Sequence, residues 1–152
     1  QYDTQIFTLS RDYAIYKNVF ENKHLENFSF IPMKKINNNN SNLLKNFYIK
    51  GSGNILTLLM LPIAFSLYDE IMLAGFDGRK KEENSYYWKH SNKNQYDDLL
   101  EEIKLVHSGY FKKNNLFYDQ YYENHIKTVK EWLDLSKSNK KILKSLTPSN
   151  IF

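Results

Sequence analysis

A short glycine-rich segment, Gly51-Ser52-Gly53-Asn54, has residue types suited to binding phosphate. Glycine lets the backbone approach a ligand closely, and the free N–H groups at the start of a helix attract anions. Ser52 and Asn54 would add side-chain donors. The same residues also fit a tight turn with a helix cap, which on residue types alone is the commoner interpretation. The segment matches neither the full dinucleotide-binding fingerprint nor the Walker phosphate loop.

A second group of candidate residues, Gly75, Asp77 and Arg79, directly follows the apolar segment 70–74. In open parallel sheets, ligands bind beyond the carboxyl ends of the strands. A carboxylate there accepts hydrogen bonds from a ribose or sugar hydroxyl, and a guanidinium binds phosphate. The alternative is an Asp-Gly turn with Arg79 in solvent, and the two interpretations remain open.

A third group lies in the aromatic and polar segment 86–91, which contains Tyr87 and His90. Aromatic side chains are costly to leave in water, so we expect this segment to pack against the rest of the chain. Histidine titrates near neutral pH, which makes His90 a candidate general base. The alternative is a loop that its aromatic residues anchor, with His90 in solvent.

The other histidines are His24, His107 and His125, and their spacing is not that of metal ligands. Neither an HExxH motif nor a paired-carboxylate pattern is present, so the sequence predicts no metal site. His125 falls on an apolar helix face, and we expect it to be a hydrogen-bonded structural residue.

The segments around the first two groups predict a β-α-β unit. Residues 47–50 form a short strand, residues 55–67 an apolar helix and residues 70–74 a buried strand. This order is typical of a parallel sheet. Both glycine-containing turns follow a strand, so we expect them to border one pocket. Pro62 is predicted to kink the helix, the alternative being a short helix that begins at Pro62.

The rest of the chain also alternates between strands and helices. We predict strands at 5–9, 28–33 and 141–146, helices at 12–21, 96–107 and 118–137, and polar loops at 34–46 and 75–95. The predicted fold class is therefore α/β, a small, mainly parallel Rossmann-like sheet flanked by helices. We expect one domain over residues 1–152, with the asparagine-rich part of 34–46 as an inserted surface loop.

Composition restricts the class of protein. The net charge of +4 comes from lysines interspersed with acids. Because there is no basic stripe with interleaved aromatics, we expect no nucleic-acid partner. No apolar run reaches the roughly 20 residues that cross a bilayer. The absence of cysteine excludes disulfides and thiolate metal sites. We expect a cytoplasmic location, with attachment to the periphery of the inner membrane as the alternative.

The three groups in this order resemble the core of bacterial CMP-sialic-acid-dependent sialyltransferases and of the related hydroxymethylpterin diphosphokinase-like proteins. Residues 52–54, the apolar helix and residues 68–77 are similar to the glycine turn, helix and Y-x-E-I-x-L-x-G-x-D strand of both. Residues 87–91, Tyr-Trp-Lys-His-Ser, are similar to a later Tyr-x-x-His-Ser of the sialyltransferases. The resemblance covers residues 47–92, about a third of the chain.

The resemblance implies a glycosyltransferase of surface glycan synthesis, with a CMP-sugar as donor, a glycan as acceptor and no metal. Under it, His90 is the general base that deprotonates the acceptor hydroxyl. Tyr87 and Arg79 stabilise the departing phosphate. The implied nucleotide-binding residues are Gly51, Ser52, Gly53, Asn54, Gly75 and Asp77.

The sequence departs from the sialyltransferases in three ways. The Ser52-Gly53 pair lies a few residues further from the strand than theirs does, closer to the spacing in the diphosphokinase-like proteins. Arg79 stands where they have a tyrosine, and residues 1–50 contain nothing like their N-terminal Gly-Asn-Gly-Pro-Ser loop. We therefore expect either the C-terminal part of a longer protein or a reduced relative. Two other functions remain open: a diphosphokinase, which would need Mg²⁺, and a non-catalytic Rossmann-like binding domain that has lost the nucleotide site.

Overall fold

The computed structural model describes residues 4–76 and 116–151, without the side chains of residues 116–121. The strands are β1 (Ile6–Leu9), β2 (Phe28–Ile31), β3 (Met33–Lys34), β4 (Ile49–Lys50), β5 (Glu70–Leu73) and β6 (Ile142–Ser145). The helices are α1 (Tyr13–Val19), α2 (Asn22–Leu25), α3 (Leu61–Leu67) and α4 (Leu116–Ser138). A 3₁₀ turn, Ser10–Asp12, precedes α1, and a π-helical segment, Leu56–Met60, precedes α3.

The strands pair in parallel. β1 pairs with β2, β3 with β4, and β5 with β6. The mixed α/β class and the parallel pairing are therefore confirmed. Each pair forms its own two-stranded sheet, so a continuous Rossmann-like sheet is not seen in residues 4–76 and 116–151.

Pro32 separates β2 from β3. A proline has no N–H to donate, so it interrupts the hydrogen-bonded ladder of a strand that the sequence predicts as continuous. Its carbonyl oxygen still accepts a hydrogen bond from the N–H of Ile49 at 2.9 Å. That bond brings β4 alongside β3, and it explains why the strand predicted at 47–50 is paired only at Ile49–Lys50.

The predicted polar loop between β3 and β4 is confirmed, and its asparagines give it a defined shape. Asn40 Nδ2 donates to the carbonyl oxygens of Asn46 at 2.6 Å and Tyr48 at 2.8 Å. Asn42 Oδ1 accepts from the N–H of Lys45 at 2.9 Å. Asparagine side chains commonly replace backbone partners in this way. The loop thus forms its own turns, and it differs from a purely surface loop because its Leu43 is buried in the core.

The helix predicted at 55–67 is continuous through Pro62. The N–H of Leu61 bonds to the carbonyl oxygen of Leu56, five residues back, as in a π-helical turn. Pro62 then stands in the first turn of α3, where a missing N–H costs least. A π-helical turn, wider than an α-helical turn, therefore precedes Pro62.

This helix packs against two apolar clusters. Leu58 and Leu59 belong to the first cluster, while Leu61 and Phe65 belong to the second. The other buried members of the first are Leu9, Ile31, Leu43 and Ile49, and those of the second are Ile71, Trp132 and Leu143. One helix therefore packs against both groups of elements. It contacts β1, β2 and β4 through the first cluster, and β5, β6 and α4 through the second.

The strand predicted as buried at 70–74 forms as β5, but burial alternates along it. Ile71 is buried, whereas Met72 is 46% exposed and Ala74 is exposed. In the described part of the chain β5 has one strand neighbour, β6, and only one face packs on the second cluster. The prediction of a strand buried on both faces is therefore wrong for these residues. No helix among them is long and apolar enough to span a membrane.

Candidate phosphate-binding pocket

A cavity of about 370 Å³ lies between the turn that follows β4 and one face of α4. This volume is in the range of small-molecule sites in proteins. Two segments line the cavity: Lys50, Gly51, Ser52, Gly53, Asn54 and Thr57 on one side, and Asn124, His125, Lys127, Thr128 and Glu131 on the other. All four residues of the predicted glycine-rich turn therefore border one pocket.

Hydrogen bonds within the turn hold it against the start of the helix. Asn54 Oδ1 accepts from the N–H of Leu56 at 2.9 Å, so Asn54 caps the helix. Ser52 Oγ and Thr57 Oγ1 lie 2.9 Å apart, and Thr57 Oγ1 donates to the carbonyl oxygen of Asn54 at 3.2 Å. The turn-and-cap interpretation is therefore confirmed for Asn54. Because the turn is held by its own bonds, its backbone presents a preformed surface to a ligand.

Gly51 and Gly75 are suited to their positions for different structural reasons. A Cβ on Gly51 would lie 3.2 Å from Met33 Sδ, so glycine lets β3 approach the turn closely. Gly75 has φ 69°, in the left-handed region that favours glycine, and it ends β5. Gly75 does not line the cavity, so the predicted shared pocket includes the first turn and not this residue.

The α4 side of the pocket is a helical stripe. Asn124, Lys127, Thr128 and Glu131 follow the i, i+3, i+4, i+7 spacing that places side chains on one face. A neighbouring stripe is apolar and includes the fully buried Trp132. The sequence prediction identified that apolar stripe, and the polar stripe beside it forms the pocket wall.

An ion pair joins the two walls. Lys50 Nζ lies 3.0 Å from Glu131 Oε2, and the side chains are 21% and 35% exposed. Asn39, from the polar loop, donates to the same oxygen at 3.1 Å. The positive charge of Lys50 is therefore balanced. Lys127 is exposed and makes no ion pair with any residue that the structure describes, so the charged residues of the pocket sum to one positive charge.

His125 occupies the border between the two stripes of α4. Its Nδ1 is buried and has no hydrogen-bond partner among the described residues. Burial lowers the pKa of His125 below the usual 6.5, which favours the neutral ring. The ring meets Phe76, which follows Gly75, edge to face at 5.8 Å. His125 thus connects the pocket to the carboxyl end of β5.

The expectation that His125 is a hydrogen-bonded structural residue is not met at its Nδ1, for which residues 4–76 and 116–151 provide no partner. A signal was present in the sequence, because Asn124, Lys127 and Thr128 lie beside this histidine on the helix. Which polar residues of a helix face a cavity depends on the neighbouring turn, and periodicity alone does not specify it.

The remaining predicted site residues, Asp77, Arg79, Tyr87 and His90, lie outside the described residues. Their roles remain predictions. Within residues 4–76 and 116–151, no group of three or more histidine or acidic residues is arranged to hold a metal ion.

Comparison with protein-family models, curated proteins and solved structures gave no match. The likeness to the sialyltransferases therefore rests on the sequence motifs alone.

Proposed function

We propose that the pocket between the glycine-rich turn and α4 binds the phosphate of a nucleotide, and that the chain is a sialyltransferase-like enzyme that uses a nucleotide sugar without a metal. One observation carries the nucleotide-binding part. The turn that the sequence predicts to bind phosphate lines a cavity whose charged residues have a net positive charge.

The pocket offers particular groups to a phosphate. Lys127 supplies a positive charge, and the backbone at Gly51 and Gly53 allows close approach. Thr128 Oγ1 donates to the carbonyl oxygen of Asn124 at 2.9 Å, so its hydroxyl proton is already used. Lys127 is therefore the side chain from which we expect the largest contribution to anion binding.

The location of the turn also supports nucleotide binding. It follows the carboxyl end of β4, and β4 pairs in parallel with β3. Ligand sites in parallel α/β proteins occur at this end of the strands. The extension to a Rossmann-like sheet, and the roles of His90 as base and of Tyr87 and Arg79 at the leaving phosphate, come from the sequence resemblance.

A non-catalytic binding domain is the second candidate. The helix cap already uses Asn54 Oδ1, and Glu131 already balances Lys50, so part of the pocket's polar groups serve the protein itself. The diphosphokinase alternative would need Mg²⁺, and the described residues contain no cluster of acidic ligands that favours it.

Calorimetric titration with CMP, CDP and ATP, with and without Mg²⁺, tests the proposal. Binding of CMP or CDP that does not depend on Mg²⁺ is expected. Lys127→Met should weaken it about fivefold to tenfold, or about 1 kcal/mol, since a charge-assisted contact is lost. Turnover of a CMP-sugar would then separate the transferase from the non-catalytic domain.

Lys130→Met is the matched control, because Lys130 lies three residues further along α4 and does not line the cavity. Its effect on affinity should stay below about twofold. Equal losses in the two variants would show that only overall charge matters. The absence of nucleotide binding would contradict the proposal directly.

A further inference from the structure

His125 places a titratable ring at the wall of the proposed anion pocket. Its Nδ1 has no exposed surface and no partner among the described residues. Nε2 is therefore the ring nitrogen left to meet a ligand in the cavity that His125 lines. A neutral ring with its proton on Nε2 can already donate to an anion, so protonation of Nδ1 changes the charge of the ring rather than the number of N–H groups that reach the cavity.

The charged groups that line the cavity together with His125, among the described residues, carry a net positive charge, which disfavours a proton on the ring in the empty pocket. Lys50 comes from β4, and Lys127 and Glu131 come from α4 itself. The turn at 51–54 and Phe76 bring no charge. Two cations and one carboxylate leave a net positive field, and burial acts in the same direction by lowering the pKa of His125.

A bound dianion reverses this balance. With two negative charges in the cavity, the charges around the ring sum to about −1, and the attraction to a protonated ring opposes the effect of burial. We propose that His125 takes up a proton from solvent when a dianionic ligand enters the pocket, so that anion binding strengthens as the pH falls from about 8 to about 5.5.

This inference rests on the proposed function, because it concerns the same pocket. It adds a dependence of anion affinity on pH, which the glycine-rich turn and Lys127 do not supply. Histidine is the side-chain type whose charge ordinarily changes between about pH 5.5 and pH 8, and His125 is the histidine among the described residues that line the pocket. The affinity should rise about tenfold over it, since one pKa unit corresponds to a factor of ten.

Sulfate is the probe, because it stays dianionic throughout this pH range and its own titration does not contribute. Calorimetry of the full 152-residue chain in buffers with different ionisation enthalpies counts the protons taken up. Where the uptake is greatest, between the pKa values of His125 in the free and the bound protein, wild-type protein should take up about half a proton per sulfate, because a difference of about one pKa unit allows no more. In His125→Gln, both the proton uptake and the pH dependence of sulfate binding should disappear.

His24→Gln is the matched control. His24 is exposed on α2 and does not line the cavity, so this variant should retain the proton uptake of the wild type. Sulfate binding without proton uptake in wild type would overturn the role of His125 and leave the phosphate pocket standing. Loss of uptake in His24→Gln would overturn it as well. If neither sulfate nor any nucleotide binds, the proposed function itself fails, and the inference fails with it.

Discussion

At the scale of single residues, Lys141 stabilises the end of a helix from a distant part of the chain. Its Nζ donates to the carbonyl oxygens of Phe65 and Tyr68, both at 2.8 Å. It also lies 3.1 Å from Asp69 Oδ1. The last carbonyl groups of any helix lack partners within the helix. Lys141, just before β6, therefore supplies partners at the carboxyl end of α3, and its side chain is only 19% exposed.

Lys141→Met should lower the free energy of unfolding by about 1–2 kcal/mol, because two carbonyl oxygens lose a charged donor. Urea unfolding followed by circular dichroism measures this. Lys144→Met is the control: Lys144 pairs with Glu70 at 2.9 Å, but both side chains are about half exposed. Such a surface pair contributes at most about 1 kcal/mol. A larger loss in Lys144→Met than in Lys141→Met would contradict this account.

The residue scale is also where the sequence was least informative. The glycine-rich turn was recognisable, since Gly51 to Asn54 combine types that serve turns and anion sites. The pairing of Lys50 with Glu131 was not, because those residues are 81 positions apart. Contacts at such separation follow from tertiary packing, and local patterns do not contain them. The role of Asn39 in holding Glu131 escaped prediction for the same reason.

At the scale of elements, a residue just after the end of α4 has a backbone conformation that is unusual for its type. Lys140, just beyond α4, has φ 57°, the left-handed conformation that glycine usually supplies after a helix. The N–H of Lys141 then bonds to the carbonyl oxygen of Ser136 at 2.8 Å, which closes the helix end. A side chain in this conformation costs roughly 1–2 kcal/mol.

Lys140→Gly should therefore raise the free energy of unfolding, by about 0.5–1 kcal/mol once the greater freedom of glycine in the unfolded chain is included. Lys137→Gly, within the last turn of α4, is the matched control and should lower it by about 1 kcal/mol. Thermal melts of the two variants should move in opposite directions. If Lys140→Gly lowered the free energy of unfolding instead, the strain of the left-handed conformation at Lys140 would have to be relieved in another way.

Most elements within the described residues were predictable from the sequence, within a residue or two at their ends, whereas the helix predicted at 96–107 and most of the loop predicted at 75–95 lie outside those residues. Hydrophobic spacing predicted α4 and the strands at 5–9 and 141–146, because these segments combine the right period with clear end signals. The π-helical turn was not predictable from spacing, because it arises where Pro62 interrupts the ladder between two packed clusters. The short helix α2 had no periodic signal, since its four residues make barely one turn.

At the scale of the whole molecule, the two apolar clusters should unfold together. Leu59 and Leu61 lie two residues apart in one continuous helix, yet they belong to different clusters. If one cluster unfolded, its part of the helix would be exposed to water. The other cluster would then lose packing, because it includes residues of the same helix. Small domains commonly unfold in a single transition for this kind of reason.

Matched substitutions in the two clusters test this coupling. Ile49→Val affects the first cluster and Ile71→Val the second, and each should cost about 1 kcal/mol. Fluorescence of Trp132, measured in a Trp88→Phe background, reports the second cluster, and far-ultraviolet circular dichroism reports the helices. Each substitution should shift both signals by the same amount. A Trp132 transition that Ile49→Val leaves unmoved would mean that the clusters unfold independently.

The π-helical segment Leu56–Met60 also determines how this chain tolerates changes in length. A π-helical turn holds one residue more than an α-helical turn, so it is the form that a helix takes when it absorbs a single inserted residue. Deleting one residue from this segment would let the helix close as a regular α-helix. Everything before it would then rotate by about 100° and shift by about 1.5 Å relative to α3. The glycine-rich turn would leave its place opposite α4 although none of its residues had changed. The number of residues in Leu56–Met60, more than their identity, therefore sets the direction in which the turn faces.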